Sequence, residues 1–331
     1  MNDLNSPIKI GALEVKNRLV MPPMATSQAT GTGAVTPQLC QYYDEKSAGG
    51  HIGLIITEHS YVSIEGKAGK GQVSIAEDAA IPGLAQLVSI IHKNGSKVMA
   101  QINHAGGAAR PEITGQIALG ASSVPMPQNG AIPREMTQAD IDKVIADFAA
   151  AAARAKKAGF DGVEIHSAHG YLLNQFYSPL TNRRTDKYRG SALAGRLKLH
   201  TEIIQAIRQL VGPDYLLALR LGACDYKDGG STLEDGVAAA KILEQAGIDL
   251  LDVSGGFCGY IRPGVKAQGY FGELSEAIKE NVHIPVILTG GITDGAAAEQ
   301  LLKEGMADLI GVGRAILKDS LWAKKAMEPI N

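Results

Sequence analysis

The chain has 331 residues, 45% of them hydrophobic, and a formal net charge of -2. That is the composition of an ordinary globular protein with enough apolar material for a sizeable core. The charge balance offers no basic field for nucleic acid or a membrane surface, and no apolar run reaches the roughly 20 residues of a membrane span.

The first residues, "MNDLNSPIKIG", lack the basic-then-apolar layout of a signal peptide, so a cytoplasmic protein is expected. "SPIKIGALEVKNR" (6–18) then alternates around Gly11 and reads as a hairpin. Eight apolar or β-branched runs follow: 18–24, 53–60, 97–103, 162–168, 216–222, 249–255, 285–291 and 308–314. Amphipathic helix patterns lie between many of them, at 78–94, 137–158, 192–210, 232–246 and 294–304. In the second of these, Thr137 and Asp140 mark the start, lysines fill the last turn and Gly159 stops it. Near-continuous apolar strands alternating with helices predict an α/β fold with a parallel sheet, and eight such units close into a (β/α)₈ TIM barrel. The hairpin is then expected to cap the barrel floor. A doubly wound open sheet is the alternative, but its Gly-rich phosphate turn is missing after the first strand, where Pro22 and Pro23 stand. No domain boundary is apparent, so residues 1–331 read as one domain. The three cysteines, Cys40, Cys224 and Cys258, are scattered, which argues against a metal cluster and fits a reducing compartment.

Chemistry in such a barrel sits at the C-terminal ends of the strands. Those ends carry Pro23, Met24 and Ala25; Glu58 and His59; Gln101, Asn103 and His104; His166 and His169; Arg220; Ser254; Gly290 and Gly291; Gly313 and Arg314. Small residues in "TGGI" and "GVGRAI", with Arg314, stand where barrels commonly hold a phosphate. The competing view is that the glycines only turn the chain and Arg314 pairs with a helix carboxylate. Gln101 suits a ring edge that both donates and accepts, although a buried carboxamide also serves as a satisfied core residue. A buried Arg220 needs a negative partner.

His59, His104, His166 and His169 could in principle bind zinc. The sequence has neither a His-x-His pair ending strand one nor an aspartate ending strand eight, and Arg314 would repel a metal. No metal is therefore expected. A Schiff-base aldolase is disfavoured because Lys97 begins its strand. Any one histidine could be structural. Two at a spacing of three past a strand end, followed by Tyr171, suit a different chemistry, in which the imidazoles hold a carbonyl oxygen and the phenol protonates the neighbouring carbon.

At these residues the chain resembles the old yellow enzyme family of FMN-dependent NADH:flavin oxidoreductases. The motifs are "NRLVMPPM", "GLIITEHSYV", "AQINHAGG", "GFDGVEIHSAHGYLLNQFYSPLTNRRTDKYRGS" and "ADLIGVGRAIL", spread almost end to end. The resemblance implies FMN across the strand ends, reduced by NADH or NADPH. It sets the backbone at Pro23, Met24 and Ala25 against the flavin ring, Gln101 at its pyrimidine edge, Arg220 near N1 and O2, and Gly290, Gly291, Gly313 and Arg314 at the phosphate. His59 and Ser254 are counted with this cofactor-facing set. His166 and His169 match the carbonyl-binding pair and Tyr171 the proton donor, so the implied activity is ene-reduction of an activated alkene, an α,β-unsaturated carbonyl compound.

The chain departs from its relatives in places. Ala25 stands where many carry a flavin-tuning cysteine, Ala108 and Ala109 follow "HAGG", and "SALAG" precedes Arg196. The end at Asn331, without a cysteine-bearing extension, fits a single-barrel member. Loops 104–136 and 256–272 are expected to set the substrate. A flavin dehydrogenase oxidising an amine or saturated substrate, a metal-dependent barrel hydrolase and a non-catalytic flavin-binding protein are the competing functions. A homo-oligomer is compatible with the sequence.

Overall fold

A computed structural model describes residues 3–328. Eight strands form a closed parallel barrel: β1 (Leu19–Met21), β2 (Leu54–Tyr61), β3 (Lys97–Asn103), β4 (Gly162–Ser167), β5 (Leu216–Cys224), β6 (Leu250–Gly255), β7 (Val286–Thr289) and β8 (Leu309–Gly311). Closure comes from β8 pairing with β1 through Ile310–Leu19 and Gly311–Val20, which rules out the open sheet. β1 is shorter than its apolar run because Pro22 and Pro23 have no N–H to give the ladder. β7 and β8 also stop early, ahead of the Gly290–Gly291 turn and of Gly313.

The predicted hairpin is present, Ile8–Ile10 pairing antiparallel with Leu13–Val15 around Gly11 at φ +55°. Ile10 and Val15 are fully buried against Val20, Leu54, Met99 and Leu216, the inward side chains of the barrel's lower half. The hairpin therefore closes the floor and keeps water from one end of the barrel. A second, larger apolar core lies between the strands and the surrounding helices.

The helix at Gln138–Lys157 begins on a capping box, with Thr137 and Asp140 each satisfying the other's backbone N–H. Gly159 follows it at φ +91°. Thr232 and Asp235 build the same device for Leu233–Ala246. Two predicted helices are modified. The 78–94 segment opens as a 3₁₀ turn before Ile81–Lys93, and 192–210 divides at Leu197 into Leu193–Arg196 and Lys198–Val211. Two further helices, Pro37–Ser47 and Gly272–Lys279, pack in the β1–β2 and β6–β7 crossovers. Within the long 104–136 segment, Leu119–Gly120 pairs with Arg134–Glu135.

Candidate active site

The C-terminal ends of the strands surround a cavity of about 990 Å³. That is at the upper end of the range for small-molecule and cofactor pockets. Its wall includes Pro23, Met24, Ala25, His59, Gln101, His166, His169, Tyr171, Arg220, Gly291, Gly313 and Arg314. Twelve of the fourteen residues expected at a site are therefore brought together. The other two, Ser254 and Gly290, do not line it.

The histidine turn is built by its neighbours. His169 adopts φ +59°, a left-handed conformation that costs a non-glycine residue energy, and Gly170 follows at φ +75°. The next helix, Leu172–Tyr177, holds this turn: Gly170 N–H donates to Asn174 Oδ1 at 2.7 Å, and Gln175 Nε2 donates to the Gly170 carbonyl at 2.8 Å. A Cβ at Gly170 would displace the Gln128 amide and reach 3.0 Å from the Phe257 ring, and the positive φ there favours glycine. The result is a compact ring cluster. His166 lies 5.1 Å from His169 and 5.2 Å from Tyr171, centroid to centroid.

Burial drives the electrostatics of this cluster. It lowers the pKa values of His166 and His169 well below the ordinary histidine value, with smaller contributions from neighbouring positive groups, Arg220 among them. Both rings are therefore neutral at pH 7. Tyr171 is shifted upward by burial and keeps its proton. Ser254 reaches this cluster from behind: its hydroxyl lies 2.8 Å from His169 Nε2, so it braces the imidazole and does not face the cavity. His104 is also displaced from the site. It is buried, with Nδ1 accepting from Gly106 N–H at 3.0 Å. Among the described residues no three His, Cys, Asp or Glu side chains are grouped to hold a metal ion.

In the floor of the cavity Gln101 and Arg220 meet two buried acids, Glu164 and Asp252, whose pairing the sequence pattern does not indicate. Gln101 Nε2 donates to Glu164 Oε1 at 2.8 Å, and Arg220 Nε is 3.1 Å from Asp252 Oδ2. Glu164 and Asp252 are fully buried. Desolvation raises both carboxyl pKa values, opposed by Arg220. One cation thus serves two carboxyls, and they titrate as a pair. The negative partner that a buried Arg220 requires is Asp252. The Gln101 amide is oriented by Glu164.

At the opposite end, Gly291 turns at φ +68°, and a Cβ there would come within 2.5 Å of the Tyr270 ring. The Gly290 carbonyl accepts from Gly269 N–H at 2.6 Å, so Gly290 docks the loop that carries Tyr270 and does not itself border the cavity. Arg314 Nη2 donates to the Tyr270 hydroxyl at 3.1 Å. Arg314 forms no ion pair among the described residues, so the helix-carboxylate alternative is not met and its charge faces the cavity unneutralised. Tyr260, Tyr270, Thr289 and Trp322 also line the wall. The two tyrosines belong to the loop expected to set the substrate. Thr289 and Trp322 carry no local sign of their place.

A family model for the NADH:flavin oxidoreductase / NADH oxidase family matches residues 3–331. The chain belongs to this family. The chain is 43% identical to an NADH oxidase of Thermoanaerobacter brockii over 98% of its own length, and spans 51% of that protein. It is 39% identical to an NADPH dehydrogenase of Bacillus licheniformis, covering 99% of this chain and 95% of the relative. The chain thus spans about half the length of one curated relative and nearly all of another. Its fold superposes on an old yellow enzyme homologue from Zymomonas mobilis with a TM-score of 0.84 at 27% identity, over 96% of this chain and 90% of that one. The cofactor of this family is FMN. The cavity fits that group, since it is large enough, carries an unneutralised arginine and close-packed glycines in one part of its wall, and a carboxamide and a guanidinium in its floor. No helix among the described residues is long and apolar enough to cross a membrane.

Proposed function

We propose that the chain is an FMN-dependent ene-reductase, drawing electrons from NADH or NADPH and reducing the carbon–carbon double bond of an α,β-unsaturated carbonyl compound. The observation that carries this reading is the grouping of two neutral imidazoles and a protonated phenol on one wall of a cofactor-sized cavity. FMN, when bound, supplies a hydride relay between nicotinamide and the substrate carbon. Gly291, Gly313 and Arg314 would hold its phosphate, Gln101 and Arg220 its pyrimidine edge, and the backbone at Pro23–Ala25 its ring. His166 and His169 donate hydrogen bonds to the substrate carbonyl oxygen and draw electron density from the alkene. In this reading the Ser254 hydroxyl, 2.8 Å from His169 Nε2, is the donor of that pair, and the Nδ1 proton is left for the substrate. Tyr171 delivers the proton to the carbon next to the carbonyl.

The deciding experiment is anaerobic. NAD(P)H-reduced holoenzyme should be reoxidised by cyclohex-2-enone with one saturated ketone formed per FMN. Reduced enzyme that reacts with dioxygen but with no enone or enoyl ester overturns the reading. A yellow protein that neither nicotinamide bleaches would instead mark a flavin-binding protein without catalysis.

Arg314→Ala should weaken FMN retention. Hydrogen bonds to charged groups contribute about 1.5–3 kcal/mol, so the dissociation constant should rise about 10- to 150-fold. Fluorescence of released FMN measures this directly, and unchanged retention would remove Arg314 from the phosphate site.

A further inference from the structure

Two fully buried acids stand behind Gln101 and Arg220, and the chemistry described above does not use them. Glu164 lies two residues before His166 on β4, on the same face of the strand. Asp252, on β6, is in register with Arg220 on β5. Neither acid lines the cavity. Gln101, the register partner of Glu164 on β3, donates to its Oε1 at 2.8 Å. The other oxygen, Oε2, is buried and has no hydrogen-bond partner among the described residues. Asp252 is better served. Its Oδ2 lies 3.1 Å from Arg220 Nε, an ion pair without an aligned hydrogen bond, and its Oδ1 accepts from the Thr289 hydroxyl at 3.3 Å.

The charges around Glu164 do not balance. It faces the uncharged Gln101 from β3, Arg220 from β5 and Asp252 from β6, while His166 and His169, close to the same guanidinium, are neutral. One cation therefore answers two carboxyls, and Asp252 is in contact with it. An ionised Glu164 would be a buried charge without a contacting cation and with one oxygen orphaned. Burial first, and then Asp252, accordingly hold its pKa above the ordinary carboxylate range, against the pull of Arg220. Of the two acids, Glu164 is the one placed to carry a proton.

Reduction of the cofactor changes this balance. Hydride transfer from NAD(P)H carries two electrons and one proton, so FMN gains one negative charge as the nicotinamide loses one. With the pyrimidine edge over Arg220, the new anion competes with the carboxyls for the same guanidinium. A Glu164 carboxylate then meets more repulsion and less attraction, and it takes one proton from solvent. We infer that Glu164 is a redox-linked proton site, binding one solvent proton when FMN is reduced in alkaline solution and releasing it when FMN is oxidised, so that it sets how the flavin potential varies with pH. The inference rests on the proposed placement of the ring edge over Gln101 and Arg220, and does not depend on an alkene being the electron acceptor.

The test measures the midpoint potential of bound FMN against reference dyes, from about pH 6 to about pH 9.5, in wild type, Glu164→Gln and Arg220→Lys. The glutamine keeps an oxygen for Gln101 and cannot ionise. Near pH 6 both wild type and Glu164→Gln carry a neutral side chain, so their curves should run parallel there. Toward pH 9.5 the wild-type potential should fall progressively below that of the variant. A tenfold tighter hold on the proton in the reduced enzyme gives a separation of about 30 mV. In reduced-minus-oxidised infrared spectra near pH 8.5, wild type should gain a protonated-carboxyl band that Glu164→Gln lacks. That band tests the inference on wild type alone should the variant fail to fold or to retain FMN. Curves that stay parallel throughout, no such band in wild type, or a band that survives in Glu164→Gln overturns the inference. Arg220→Lys identifies the reason: a changed potential leaves the ring edge over Arg220, whereas a potential unmoved by either substitution removes that placement as well.

Discussion

Tyr171→Phe is expected to leave reduction of the enzyme by NAD(P)H nearly unchanged and to slow the alkene half-reaction by roughly 10²–10⁴-fold, the usual contribution of a positioned general acid. The substitution is conservative in every other respect. Tyr171 sits at the N-terminal edge of the Leu172–Tyr177 helix, where its backbone N–H donates to the Ala168 carbonyl at 3.2 Å. Its ring packs on His59 and His166. Phenylalanine retains these contacts and removes only the phenolic hydroxyl. Stopped-flow measurement of the two half-reactions separates the effects. An equal loss in both would show that the residue supports the site's structure and is not the proton donor.

The second large effect is loss of stability in acid. Five buried imidazoles are shifted downward by burial: His59 and His104 to about 4, His200 to about 3, and His166 and His169 well below the ordinary value. Between the unfolded value of 6.5 and about 4, the unfolded chain binds protons at these sites and the folded chain does not, so stability falls as pH falls. Three buried carboxyls act in the opposite sense. Glu58 is pushed up to about 7, and Glu164 and Asp252 are also raised, so the folded state holds their protons where the unfolded state has released them. Five histidines against three carboxyls leave a net uptake of protons on unfolding, so stability falls as pH falls from 6 to 5. Urea midpoints at pH 7, 6 and 5 test this. Constant or rising stability on acidification would contradict it.

The barrel was legible because its strands are buried on both faces and so stand out as short apolar runs, and because Thr137 and Gly159 punctuate a helix by local chemistry. The helix at Pro37–Ser47 was harder to see. Only Leu39, Cys40, Tyr43, Lys46 and Ser47 are buried, so its apolar stripe is faint, although Thr36 and Pro37 mark its start. The same division holds for the site. His166, His169 and Tyr171 lie within one strand end and one turn, where spacing predicts proximity. Tyr270 and Arg314 are 44 residues apart and meet only once the barrel has closed. Ser254 and Gly290 occupy the right end of their strands but turn toward other partners, His169 and Gly269, which strand position alone does not determine. Glu164 and Asp252 are hidden for a different reason, since an acid within an apolar run indicates burial but not its partner.

The docking of Tyr270 on the Gly290–Gly291 turn bears on how the enzyme could be re-engineered. The loop crossing the cavity mouth is fixed at one end by Phe257 N–H donating to Asp225 Oδ1 at 2.8 Å, and at the other by Gly269 N–H on the Gly290 carbonyl. Between these anchors, the Tyr260 carbonyl accepts from the Tyr270 hydroxyl at 2.5 Å, and Arg262 pairs with Glu273 at 2.8 Å. The stretch between Phe257 and Gln268 can therefore be exchanged as a cassette that keeps those two contacts. Sequences grafted there would redraw the entrance while both anchor points, and the arginine behind them, stay in place.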